Sequence, residues 1–123
     1  MSYETIDPPT AKQRLDEGDT WTYLDVRTPE EFAQSRVPGS INIPVALRTP
    51  MGMQPNPEFV QAVQAQFAND RALVVACKMG GRSMRACEML AAEGYTQLAN
   101  MHGGFSGAED QAGWEALGFP VER

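Results

Sequence analysis

Apolar and polar positions follow two periods that succeed each other along the chain. Trp21-Thr22-Tyr23-Leu24-Asp25-Val26, rich in aromatic and β-branched residues, predicts a strand. Thr28-Pro29-Glu30-Glu31-Phe32 follows as a helix start, with Thr28 as N-cap, Pro29 at the first helical position and Glu31 at the third. Pro38-Gly39 marks a turn before a short strand at Ile41–Ile43, and the proline-bearing stretch Ala46–Pro57 predicts a loop. Over 58–67 the period lengthens, placing Phe59, Val60, Val63 and Phe67 on one helical face. Leu73–Ala76 is continuously apolar, as a strand covered on both sides requires. Arg82–Glu93 predicts a helix stopped by Gly94, with Met84, Cys87, Leu90 and Ala91 as its apolar face. A strand at Gln97–Met101 then runs into Gly103-Gly104. At the other end, a strand at Tyr3–Ile6 precedes a helix over Ala11–Glu17 opened by Thr10. Five strands alternating with helices predict an α/β fold: a mainly parallel five-stranded sheet with helices on both faces.

Composition narrows the function more than the fold. The chain has 123 residues, fitting one domain over 1–123, and no repeats or linker interrupt it. With 42% hydrophobic and 21% charged residues it is too apolar for disorder. A net charge of -6 argues against nucleic acid as partner, since no basic face neutralises phosphates. No apolar run approaches the roughly 20 residues of a bilayer span, and the first residues lack a secretory leader pattern. The expectation is a cytoplasmic protein with no membrane partner. Two cysteines and one histidine argue against a disulfide framework or a Cys/His zinc site, so both thiols are expected free and no metal or cofactor is expected.

The chemistry gathers where the central strand ends. Cys77-Lys78-Met79-Gly80-Gly81-Arg82-Ser83 leads from that strand into a helix, at the carboxyl edge where parallel sheets bind ligands. Two glycines allow a tight curl whose N–H groups form an anion-binding nest, and the helix start adds its positive dipole end. A thiol at the head of such a loop is favoured as thiolate. Lys78, Arg82 and Arg85 form a cationic island on an acidic chain. Cysteine-dependent phosphatases and arsenate reductases are disfavoured, because four residues rather than five separate Cys77 from Arg82. The shorter cradle suits a smaller target, such as one terminal sulfur.

These residues resemble single-domain rhodanese-like sulfurtransferases over most of the chain. The resemblance runs through Leu24–Phe32, Pro38–Pro44, the Cys-x-x-Gly-x-Arg loop at Cys77–Arg82, Gly103-Gly104 and Trp114–Val121. Departures are Ser35-Arg36-Val37 where the family commonly has Gly-His-Ile, and longer segments at Arg48–Asn56 and Ser106–Gly113. The resemblance implies a single rhodanese-like domain in which Cys77 is the nucleophile. Cys77 would take sulfane sulfur from a small anionic donor such as thiosulfate, hold it as a persulfide, and pass it to a thiol, cyanide or protein acceptor. A persulfide carrier or regulatory module served by a partner protein is the alternative.

Supporting roles follow from residue chemistry. Lys78, Met79, Gly80, Gly81, Arg82 and Ser83 form the binding loop, with Arg82 as its organiser or anion ligand and Lys78 as a recruiting charge or a solvated one. Ser83 is expected to cap the helix, with a bond to the terminal sulfur as the alternative. Asp25 and Arg27 are expected to pair in support of the loop. Cys87 reads as a core residue, and the seven methionines as core filling. His102 packs in its turn or serves as a base.

Overall fold

A computed structural model describes residues 3–123. In chain order its elements are β1 (Glu4–Ile6), α1 (Pro8–Asp16), β2 (Trp21–Asp25), α2 (Pro29–Gln34), β3 (Ile41–Asn42), β4 (Ala46–Thr49), β5 (Gly52–Pro55), α3 (Phe59–Gln66), β6 (Ala72–Ala76), α4 (Gly81–Ala92), β7 (Gln97–Met101), β8 (Gly107–Ala108) and β9 (Gln111–Ala112). The main sheet has five strands in the order β1-β7-β6-β2-β3, every neighbouring pair parallel. The fold is α/β, with helices against both faces.

The two faces follow from the alternation of side chains along each strand. Leu24, Leu73, Val75 and Leu98 point to one side, where they pack with Phe59 and Val63 of α3 and Ala86, Cys87 and Leu90 of α4. Tyr23, Val74, Ala76 and Ala99 point to the other, against Ala11 of α1, Phe105 and Trp114. Every residue of β6 is buried, so its apolar run contributes to both layers. Each fully buried Val or Leu there is worth about 1.5–3 kcal/mol.

Several expectations need correction. The N-terminal helix starts at Pro8, capped by Asp7, whose carboxylate accepts the Thr10 N–H at 2.9 Å. Thr10 therefore lies within the first turn. The stretch predicted as a loop after Ala46 contains the antiparallel hairpin β4–β5, turned at Pro50-Met51; Pro50 sits in the turn and Pro55 at the last position of β5, opposite Ala46. The segment after Ser106 likewise holds a small hairpin, β8–β9. On α4 the buried stripe is Ser83, Ala86, Cys87, Leu90 and Ala91, while Met84 faces solvent. Nor are the methionines all core: Met51, Met53, Met79 and Met84 are exposed, and Met101 is fully buried.

The hairpin β4–β5 springs from the carboxyl end of the sheet. Val45, just before it, donates its N–H to Val26 O, and Asn56, just after it, bonds back to Val45 and Pro44. It thus projects at the end where Cys77 sits.

Candidate active site

Cys77 directly follows β6 and is 2% exposed. Its Sγ accepts the Gly80 N–H at 3.1 Å and lies 3.5 Å from the Ser83 hydroxyl. Gly80 makes the turn with φ +136°, a conformation that side chains other than hydrogen rarely adopt. Helix α4 begins at the next residue, so its positive end is aimed at the loop.

A second segment holds the loop from outside. Gly103 N–H bonds Met79 O at 3.0 Å, Phe105 N–H bonds Cys77 O at 2.8 Å and Ser106 N–H bonds Lys78 O at 2.9 Å. Three successive loop carbonyls are thereby turned away from the sulfur, while the Gly80 amide points towards it. This contact is close. A Cβ on Gly104 would stand 2.5 Å from Cys77 O and 2.6 Å from Lys78 O.

Asp25 and Arg27 form a buried bidentate pair, with the Arg27 Nη2 at 2.8 Å from Asp25 Oδ2. The Asp25 carboxylate also accepts the Arg27 backbone N–H. The guanidinium stacks over the Phe105 ring at 4.4 Å and donates to Ser35 O. Since Phe105 donates to Cys77 O, the pair braces the strap that braces the loop.

Arg82 meets Glu31, a residue absent from the sequence-based site. Its two guanidinium nitrogens reach the carboxylate at 2.7 and 3.2 Å. The same carboxylate accepts the Thr28 N–H at 3.1 Å, and Thr28 Oγ1 accepts the Glu31 N–H, completing the capping box expected from Thr28 and Glu31. One side chain thus closes the start of α2 and anchors the loop arginine. The positive island is smaller than the composition suggested, because Arg82 is neutralised. Lys78 and Arg85 are exposed, and among the described residues neither pairs with a carboxylate.

Partial burial works to raise the pKa of Glu31, but the Arg82 and Thr28 hydrogen bonds outweigh it and hold the group at about 2, against 4.5 ordinarily. The folded state therefore binds the proton more weakly, so the stabilisation is complete above pH 4.5 and disappears as pH falls towards 2. Glu31→Gln retains a residue suited to the capping box but deletes the charge. It should cost about 1–2 kcal/mol at pH 7 after allowance for solvent screening. Urea midpoints of the two proteins should then converge as pH is lowered from 5 to 3; a gap that stays constant would show that the ion pair contributes nothing.

The remaining candidates separate. Ser83 is fully buried and does not cap the helix: the cap residue is Gly80, and the Ser83 oxygen stands within donating reach of Gly80 O and Asn100 Oδ1 and accepts from Cys77 Sγ. Met79 is exposed at the loop rim, and Gly81 starts α4. His102 pairs with Asp110, Nε2 to Oδ1 at 2.7 Å, and its Nδ1 would lie 3.6 Å from a Cβ on Gly80. It thus stands against the outer wall of the loop. A cavity of about 280 Å³ opens there among Met79, Gly80, Gly81, Met84, Asn100 and His102. Another cavity, of about 520 Å³, lies at the far end of the sheet, near Trp21 and Arg71, away from the thiol chemistry. Cys87 is buried in the core, and burial pushes its thiol up to about 12. Among the described residues no helix is long and apolar enough to cross a membrane.

Sequence reasoning missed Glu31, Asn100 and Phe105. Glu31 was visible as a cap residue, and Asn100 as a polar side chain inside an apolar strand. Nothing local announced Phe105.

A family model described as Rhodanese-like domain matches residues 7–111. The chain is 48% identical over 120 residues to the Arabidopsis thaliana protein named HIGH ARSENIC CONTENT 1, mitochondrial, covering 98% of this chain and 66% of that protein. It is 39% identical over 100 residues to Thiosulfate sulfurtransferase 16, chloroplastic, of the same plant, covering 81% and 78%. The crystal structure of Rv0390 from M. tuberculosis has the same fold, with a TM-score of 0.83, 24% identity and 98% coverage of both chains.

Proposed function

The chain belongs to the rhodanese-like domain family, and on that premise we propose that it is a sulfurtransferase that accepts sulfane sulfur from thiosulfate on Cys77. The observation that carries this reading is the placement of Cys77 Sγ beneath the Gly80 N–H, at the start of α4, in a loop whose carbonyls are tied back by Gly103, Phe105 and Ser106. Relatives named thiosulfate sulfurtransferase support the donor.

In the first step the Cys77 thiolate attacks the outer sulfur of thiosulfate. A new S–S bond forms, the old one breaks, and sulfite leaves with the bonding pair. Cys77 now bears a persulfide with one negative charge. In the second step a nucleophilic acceptor, a thiolate or cyanide, takes the outer sulfur and Cys77 returns to thiolate. The split into two displacements is covalent catalysis. Loop amides directed at the charged sulfur act as an oxyanion hole does, where one such donor is worth about 3–4 kcal/mol. Exposed Lys78 supplies attraction for the anionic donor.

Incubation with thiosulfate followed by mass spectrometry should show one added sulfur atom on the Cys77 peptide, removed by a reductant or by cyanide. An unchanged peptide would sink the proposal. Catalytic release of thiocyanate separates an enzyme from a carrier that loads but does not turn over.

The name of the 48% identical relative refers to arsenic, and this favours one second reading, arsenate reduction. There two thiols, Cys77 and an external one, become a disulfide while arsenic(V) becomes arsenic(III) and one oxygen leaves as water. Arsenite released from arsenate and glutathione, and lost in Cys77→Ser, would favour it. The four-residue spacing between Cys77 and Arg82 keeps sulfur transfer first.

A further inference from the structure

We propose that Asn100 is a positioning residue for Cys77, acting through the direction of the Ser83 hydroxyl proton. The three side chains form a buried line across two elements: Cys77 is 2% exposed, Ser83 0% and Asn100 3%. Ser83 comes from α4 and Asn100 from β7, where its register partner is Val75 of β6, two residues before the nucleophile. The Ser83 oxygen lies within hydrogen-bond reach of Asn100 Oδ1, of Gly80 O at 3.0 Å and of Cys77 Sγ at 3.5 Å.

A hydroxyl has one proton to donate and two lone pairs. In the thiol form Cys77 donates S–H to Ser83, so the Ser83 proton is directed to an oxygen, and Asn100 Oδ1 receives it. When the thiol gives its proton to solvent, the sulfur becomes the stronger acceptor. The Ser83 hydroxyl can then rotate and donate to the thiolate or the persulfide. Asn100 competes for that proton with a neutral carbonyl, strong enough to orient it while Cys77 is a thiol and weak enough to release it afterwards. A carboxylate in its place would retain the proton and set a second negative charge near the sulfur. An apolar isostere would remove the closer of the two competing oxygens and leave Gly80 O, at 3.0 Å, to compete with the sulfur for the proton.

The inference rests on Cys77 as the reactive thiol, but its test needs no sulfur transfer. Iodoacetamide reacts with the thiolate, so the pH of half-maximal Cys77 alkylation reads the equilibrium directly even if thiosulfate proves to be the wrong donor. Charged and titratable groups around Cys77 are Tyr23, Asp25 and Arg27 from β2 and its end, Glu31 from α2, Arg82 and Cys87 from α4, Lys78 in the loop and His102 beyond β7. All stay unchanged in the variants. Asn100→Leu should move the half-alkylation pH down by about half a unit, and Asn100→Asp should move it up by about one unit. In a Ser83→Ala background the downward shift should vanish and the upward one shrink. Opposite signs from two substitutions at one site are not produced by general loosening. Shifts of the same sign, no shift, or a leucine shift that survives in Ser83→Ala would overturn the proposal. If Asn100→Asp fails to fold by circular dichroism, the leucine variant with and without Ser83 decides alone.

Discussion

Cys77→Ala is expected to abolish sulfur transfer, lowering thiosulfate turnover by roughly 10⁴-fold or more, while Cys87→Ala keeps most of it. The two cysteines share one chain but sit in opposite environments. Cys77 stands at the carboxyl end of the sheet with an amide donor on its sulfur and a helix start beyond it. Cys87 lies one to two turns further along α4, fully buried among Leu90, Leu98 and their neighbours. Burial, with a smaller contribution from Glu88, holds its thiol at about 12, so it is protonated throughout the physiological range. A protonated buried thiol neither attacks nor resolves a persulfide. Its loss should cost about 1 kcal/mol of packing, visible as a lower unfolding midpoint. Equal inactivation of the two variants, both folded by circular dichroism, would refute a single-nucleophile mechanism.

Gly104→Ala is expected to be severely damaging although it lies away from the sulfur in sequence. Gly104 has φ +57°, and an added Cβ would meet the backbone of Cys77 and Lys78 at 2.5–2.6 Å. Backbone atoms cannot swing aside as the tip of a flexible side chain can. Relief requires the strap and the loop to separate, which breaks the bonds from Phe105 and Ser106 to Cys77 O and Lys78 O. Overpacking of this kind, added to the left-handed backbone, should cost about 3 kcal/mol or more. Activity should fall further than stability, because the loop carbonyls are freed to turn towards the anionic sulfur. Gly39→Ala is the control: its φ is also positive, at +78°, yet nothing lies within 4 Å of the added carbon. A Gly104→Ala protein as stable and active as Gly39→Ala would show that the strap does not shape the site.

What could be read from the residues depended on how local the determining forces are. β6 was legible because a run buried on both faces has no polar interruption, and the loop after it because Cys77, Gly80 and Arg82 are close enough in sequence to be read together as Cys-x-x-Gly-x-Arg. The capping box of α2 was legible for the same reason, all its bonds falling within Thr28–Glu31. By contrast, the tie from Glu31 to Arg82 spans 51 residues and exists only once α2 and α4 are placed side by side. Asp7 displaced Thr10 as cap because Pro8 and Pro9 are well tolerated in a first helical turn, which extends the helix back past the expected start. The β4–β5 hairpin was hidden by prolines that suppress strand propensity yet sit at its turn and its end. On α4 the spacing of apolar residues admitted two faces. Packing against the sheet selected the one with Ser83, which put its hydroxyl on the sulfur and left Met84 outside.

The strand order also sets when the molecule can assemble during synthesis. Each partnership in the main sheet is parallel and distant: Leu24 with Ile41, Trp21 with Ala72, and Glu4 with Ala99. No hairpin can nucleate this sheet, so closure of long loops precedes most of its stabilisation. β1, made first, pairs with β7, made last among the five. The thiol of Cys77 emerges from the ribosome before Gly103–Ser106 exist to shape its cradle. A nascent chain arrested short of Gln97 therefore carries both an unframed thiol and an unpaired first strand, and it is at that stage that the chain is most open to oxidation and to mispairing.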